Sequence, residues 1–133
     1  MELVIGGYSQ GKLNYVLNNY DKNAYQVYDG ASLALGTLEK IATENKVVIL
    51  DHFHCWVKER IRQGEDPESE IMDFLDQRFE DLVIISDEIG NGIVPMDAFE
   101  REYRERTGRI LVMAAKRADK VVRVICGIGQ RIK

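Results

Sequence analysis

Apolar residues occur along this chain in two textures. Some form short unbroken aliphatic runs, and others recur every three or four positions over longer, otherwise polar stretches. Leu3-Val4-Ile5, Val47-Val48-Ile49-Leu50 and Leu82–Ile85 are of the first kind, and Val121–Ile125 departs from it only at Arg123; this is the pattern of strands buried on both faces of a parallel sheet. Predicted strands are therefore Glu2–Ile5, 47–50, Leu82–Ile85 and Val121–Ile125. Ala24–Tyr28, short, aromatic and bounded by Asp/Asn and Asp-Gly, makes a further strand. Between them the spacing turns helical. Leu13, Val16, Leu17 and Tyr20 predict a helix over about 11–19. Leu35, Leu38, Ile41 and Ala42 predict one over 32–44, and a third spans 52–62 before Gly64-Glu65-Asp66-Pro67 breaks it. Ile71, Phe74, Leu75 and Phe79 mark a helix over 68–80. A long one is expected to start near Pro95, a favoured first-turn residue, with Phe99, Tyr103, Ile110, Ala114 and Ala118 as its buried stripe. Gly108 lies inside it, as a weak point or a close-packing site.

Alternation of aliphatic strands with helices predicts an α/β fold, a doubly wound and mostly parallel sheet with helices on both faces. Ligands in such sheets sit at the carboxyl ends of the strands. Four places qualify: the glycine-rich loop after the first strand, Asp51 to Cys55, Ser86 to Pro95, and Gly127 onward. A length of 133 residues fits one domain, 1–133. The net charge of −4 disfavours nucleic-acid partners, which call for a basic surface. Cys55 and Cys126 form no repeated spacing, consistent with a reducing, cytoplasmic compartment. Met1-Glu2 opens directly into the first strand, so no signal peptide is expected. No apolar run approaches the roughly 18 residues of a membrane span, and no membrane partner is expected.

From Gly6 the chain reads Gly6-Gly7-Tyr8-Ser9-Gln10-Gly11-Lys12, the G-x-x-x-x-G-K pattern of a phosphate-cradling loop between a strand and a helix. Glycines let consecutive backbone N–H groups converge on phosphate oxygens, the helix N-terminus adds partial positive charge, and the lysine ammonium reaches the outer phosphates. Leu13 stands where a Ser or Thr hydroxyl would ligate Mg²⁺. The same pattern also fits a βα turn that happens to contain Gly-Lys.

Asp51 ends the third strand, where a carboxylate can hold Mg²⁺ directly or through water, or cap the following helix. His52, His54 and Cys55 are zinc-ligand types, but positions i and i+2 of a helix diverge and no second cluster closes a tetrahedron. Ser86-Asp87-Glu88 offers two adjacent acids for a metal or a general base, or for capping and solvated loop charge. Gly90-Asn91-Gly92 follows as a flexible turn.

The stretch from Val83 through Ser86-Asp87-Glu88-Ile89-Gly90-Asn91-Gly92-Ile93-Val94-Pro95 resembles the S-N-E-V-G-x-G-I-V-P block of the bifunctional adenosylcobinamide kinase/adenosylcobinamide-phosphate guanylyltransferases of cobalamin biosynthesis. The likeness extends to the glycine loop, to Val48-Ile49-Leu50-Asp51 followed by Trp56, and to Arg101-Glu102-Tyr103-Arg104, Gly108-Arg109, Ala118-Asp119 and the stretch from Gly127 to Lys133. It implies a RecA-like P-loop NTPase fold, a homo-oligomer (typically a trimer), ATP or GTP with Mg²⁺, and a corrinoid substrate. It further implies that Gly6, Gly7, Tyr8, Ser9, Gln10, Gly11, Lys12 and Leu13 contact nucleotide. Lys12, Asp51 and Glu88 would then be the catalytic residues, with Asp51 at the metal.

Departures from the family pattern bear on the chemistry. Where the family loop reads G-G-x-x-S-G-K-S-R, this chain has Gln10, Leu13 and Asn14, so both hydroxyls near the metal are missing and Mg²⁺ dependence should be weak or lost. The segment that carries the family's guanylylated histidine is shortened, and 29–46 holds no His and no Arg. Only His52 and His54 remain as candidate nucleophiles. Asp87 replaces an asparagine, adding negative charge where phosphates would sit. Three kinds of protein fit: a reduced nucleotide-dependent kinase, a non-catalytic nucleotide- or corrinoid-binding sensor or carrier, and a paralogue that pairs with an active relative.

Overall fold

The computed structural model describes residues 1–33, 38, 41, 46–77 and 81–133. Six strands, β1 (Glu2–Gly6), β2 (Tyr25–Asp29), β3 (Val47–Asp51), β4 (Leu82–Asp87), β5 (Lys120–Ile125) and β6 (Ile128–Arg131), form one sheet in the order β2-β3-β4-β1-β5-β6. All neighbours are parallel except β5 and β6, which form an antiparallel hairpin. Four helices are described: α1 (Lys12–Leu17), α2 (Phe53–Arg62), α3 (Pro67–Gln77) and α4 (Ala98–Arg117). The expected α/β class and largely parallel sheet are therefore observed, with β1 in the interior between β4 and β5.

The aliphatic runs are continuous because successive side chains enter different layers. Leu3, Val48, Leu50, Leu82, Ile84 and Val121 join a core with Phe53, Trp56, Val57, Ile71, Leu75, Ile110 and Ala114, beneath α2, α3 and α4. Val4, Ile49, Val83, Ile85, Val122 and Val124 face the other way and pack with Val16 of α1. Helices thus lie on both faces, unequally. Arg60 of α2, only 8% exposed, fixes α3 through a two-pronged pair to Glu70, with Nε donating to Oε2 at 3.0 Å and a terminal nitrogen donating to Oε1 at 2.8 Å.

Several boundaries differ from the sequence expectation. The last helix starts at Ala98 instead of near Pro95, because Asp97 caps it: its carboxylate accepts from the backbone N–H of Phe99 at 2.7 Å and of Glu100 at 3.4 Å. The first helix ends at Leu17 rather than Asn19. β6 was not expected from the sequence. It follows a two-residue turn in which Cys126 (φ 50°) and Gly127 (φ 76°) are both left-handed, the type I′ geometry that suits strand twist. Most of the helix expected over 32–44, and Phe79 in the one expected over 68–80, lie outside the described residues; of the former, Leu38 and Ile41 are described and buried. No described helix is long and apolar enough to cross a membrane.

Gly108 is not a close-packing site. It is exposed within α4, and a Cβ built there meets nothing within 4 Å. Gly108→Ala should therefore stabilise the fold by about 0.5–1 kcal/mol through helix propensity alone, visible as a rise in thermal midpoint.

Candidate functional site: the glycine loop and its acidic neighbours

The loop leaves β1 at Gly6 because no side chain fits there. A Cβ on Gly6 would lie 2.5 Å from the carbonyl oxygen of Val124 on β5 and 3.3 Å from Cδ of Lys12. The chain then turns through Ser9 (φ 53°) and Gly11 (φ 82°), the latter serving as N-cap of α1 without a side-chain cap. Gln10 ties the loop to the β5–β6 turn. Its carbonyl accepts from Gly127 N–H at 2.8 Å, and its side-chain Oε1 accepts from Cys126 N–H at 2.9 Å. Tyr8, at the tip, is 83% exposed.

Lys12 turns back under the loop and is 8% exposed. Its ammonium donates to the Gly7 carbonyl at 2.7 Å and lies 2.6 Å from Oδ1 of Asp87. This pairing follows from the sheet, since Gly6 and Asp87 are register partners at the ends of β1 and β4. Asp87 is held in turn by His54. The backbone N–H of Asp87 donates to His54 Nδ1 at 3.1 Å, and Oδ2 lies 3.4 Å from His54 Nε2. An Nδ1 that accepts a bond belongs to a ring whose proton is on Nε2, the neutral form. Burial pushes the His54 pKa below its ordinary value in the same sense. His52 and Lys12 add to that lowering, while Asp87 and Asp51 oppose it.

Asp51 stands one strand further out, on β3, beyond β4. Its Oδ1 accepts the His52 backbone N–H at 2.9 Å. The cap position of α2 is His52 itself, in the left-handed region (φ 49°) and without a side-chain cap, so Asp51 precedes the cap rather than forming it. His52 Nδ1 lies 3.1 Å from Oδ1 of Asp29 and 3.5 Å from Oδ2 of Asp51, and its ring centroid is 6.0 Å from that of His54. Glu88 pairs with Arg123 of β5, Nε lying 2.8 Å from Oε1 and a terminal guanidinium nitrogen donating to Oε2 at 2.9 Å. Lys12, Asp87 and His54 are thus one contiguous cluster, with Asp51, His52 and Asp29 beside it and Glu88 drawn toward β5. The roles of Asp29, His54, Arg123 and the Gln10 tether were not read from the sequence. Of these only Asp29, a strand-end acid before a glycine, carries a local signal.

Beside the loop, the positions that could meet a Mg²⁺ ion are largely engaged within the protein. Leu13 packs on the second core layer, Asp87 is engaged by Lys12, and Asp51 by the His52 N–H. No group of three His, Cys, Asp or Glu side chains among the described residues is arranged to hold a metal.

A model of the family described as cobinamide kinase / cobinamide phosphate guanyltransferase matches residues 20–132. The chain belongs to that family. Two relatives are the bifunctional adenosylcobalamin biosynthesis proteins CobU of Salmonella typhimurium and of Escherichia coli, 40% and 38% identical over 52 residues. Each match covers 39% of this chain and 29% of the relative, so the chain matches well under a third of their length. The six-stranded, mostly parallel sheet with helices on both faces agrees with the P-loop NTPase-like fold of the cobinamide kinase family. The family match begins at residue 20, after the glycine loop, so that loop is read on its own residues.

His54 gives the cluster a pH signature. Folding holds the ring neutral with a lowered pKa, so below about 6.5 the unfolded chain binds the extra proton and stability falls. His54→Asn, whose side-chain oxygen can still accept the Asp87 N–H, should flatten this acid-side loss. Urea midpoints at about pH 5.5 and about pH 7.5 measure it.

Proposed function

We propose that this member of the cobinamide kinase family binds the phosphates of ATP or GTP in the loop from Gly6 to Leu13, and that it has lost guanylyl transfer. The observation that carries the reading is the loop's build. A glycine that cannot bear a side chain ends the strand, a left-handed Gly11 opens the helix, and a lysine follows at its first position. Backbone N–H groups of Gly7 to Leu13 and the Lys12 ammonium are the phosphate-binding groups in this reading. Lys12 neutralises charge on a transferring phosphoryl group, which is the larger part of what such catalysis needs. Asp51 is assigned to assisting a nucleotide-bound metal and Glu88 to the substrate or nucleotide pocket, with the hydroxyl of a corrinoid as the acceptor class. Loss of guanylyl transfer rests on the absence of histidine from 29–46.

A second reading, a non-catalytic nucleotide- or corrinoid-binding paralogue serving as sensor, carrier or oligomer partner, is favoured by Leu13. That side chain is committed to packing α1 and offers no metal-binding hydroxyl.

Calorimetric titration with ATP, GTP and adenosylcobinamide, with and without Mg²⁺, distinguishes the two when paired with a turnover assay for phosphorylated corrinoid. Lys12→Ala should weaken nucleotide affinity about tenfold to a hundredfold, the range for a charge-assisted contact, and unchanged affinity would remove the loop assignment. With α-³²P-labelled GTP, no acid-labile protein adduct is expected. Label on the wild type that disappears in His52→Ala would reinstate the transferase.

A further inference from the structure

We propose that Asp87 is a built-in competitor for the phosphate loop: it holds the Lys12 ammonium in the free protein, and an anionic ligand binds by taking that cation from it. The inference rests on the reading of the loop as a phosphate site and adds the residue that sets its affinity and its preference among ligand charges.

Four observations converge. The Lys12 ammonium sits 2.6 Å from the Asp87 carboxylate and donates to the Gly7 carbonyl, so both neighbours are acceptors. Lys12 is 8% exposed and the Asp87 side chain 16%, so water screens the pair weakly. Asp87 does not swing freely, because its backbone N–H is anchored on His54 Nδ1 and its second carboxylate oxygen faces His54 Nε2. The neighbouring cation is also matched: Arg123 is paired with Glu88. Each of these two cations at the ends of β1, β4 and β5 therefore faces an acid from the Asp87-Glu88 pair, and Asp51 and Asp29 lie beyond them.

A phosphate oxygen arriving at the loop meets an ammonium whose charge is already balanced, and a carboxylate that cannot leave its place. Lys12 must shift from Asp87 toward the ligand, and Asp87 is then left partly buried beside like charge. That penalty grows with ligand charge, since the repulsion scales with the product of the two charges. Asp87 therefore weakens binding overall and weakens triphosphates most. Replacing the carboxylate by an amide of the same shape removes the competitor and leaves the cation.

The test is titration of AMP, ADP, ATP and inorganic pyrophosphate, without metal, into wild type, Asp87→Asn, Lys12→Ala and the double variant. Asp87→Asn should tighten ATP binding about tenfold or more, with a smaller gain for ADP and the least for AMP. The gain should vanish in the Lys12→Ala background, an outcome that a general change in packing does not produce. Asp87→Ser, smaller and equally uncharged, serves in parallel. Unchanged or weaker ATP binding in both neutral variants, with the wild type binding, overturns the competitor and leaves the loop assignment intact. An equal gain for all ligands, or one that persists without Lys12, also overturns it. Absence of binding in the wild type and in both neutral variants overturns the loop assignment and this inference together. Failure of both neutral variants to fold shows the pair to be structural, and overturns it as well.

Discussion

Much of this molecule follows from the lack of space at Gly6. β1 is an interior strand, and the Val124 carbonyl of β5 closes over its last residue so tightly that a single methyl group would collide with it. With only a hydrogen there, the chain leaves the sheet at once and the Lys12 stem folds back against the same position. Lys12 therefore meets the end of β4, the other neighbour of β1, where the register places Asp87. The loop, the buried ion pair and the histidine behind it are consequences of one crowded crossing between strands.

The sequence pattern was most informative where burial is two-sided. Val83 and Ile85 enter one layer while Leu82 and Ile84 enter the other, and only a strand between helices needs aliphatic side chains at every position. β6 lacked that signature because Ile128-Gly129-Gln130-Arg131 is an edge strand with largely exposed side chains. Its cue was instead the Cys126-Gly127 pair between aliphatic residues, a turn signal that hydrophobic periodicity does not register. At the long helix, the start expected near Pro95 gave way to Asp97. Asp97 prevailed because its carboxylate satisfies two N–H groups that would otherwise be unpaired.

The site was legible in part for a related reason. Glycine spacing is local, so the loop from Gly6 to Lys12 could be read directly from the chain. Which acid stands beside the lysine is not local. Asp51 and Asp87 both end aliphatic strands, and only strand order decides between them: β4 adjoins β1, whereas β3 lies beyond it. His54 illustrates the same limit. Its residue type suggested metal or nucleophilic chemistry, while its ring accepts a backbone N–H from a residue 33 positions away.

Gln10 carries a consequence of a different kind. Its amide oxygen reaches the β5–β6 turn, while its carbonyl takes the next N–H along. The middle of the loop is thus stitched to a hairpin that is itself part of the sheet. Fixing the backbone of a free loop costs about 1–2 kcal/mol per residue in conformational entropy, and a ligand that orders its own cradle bears that cost on binding. Here folding has already ordered the loop. If its N–H groups bind phosphate as proposed, the ligand finds them in place, and charge and fit set its affinity rather than disorder it must remove.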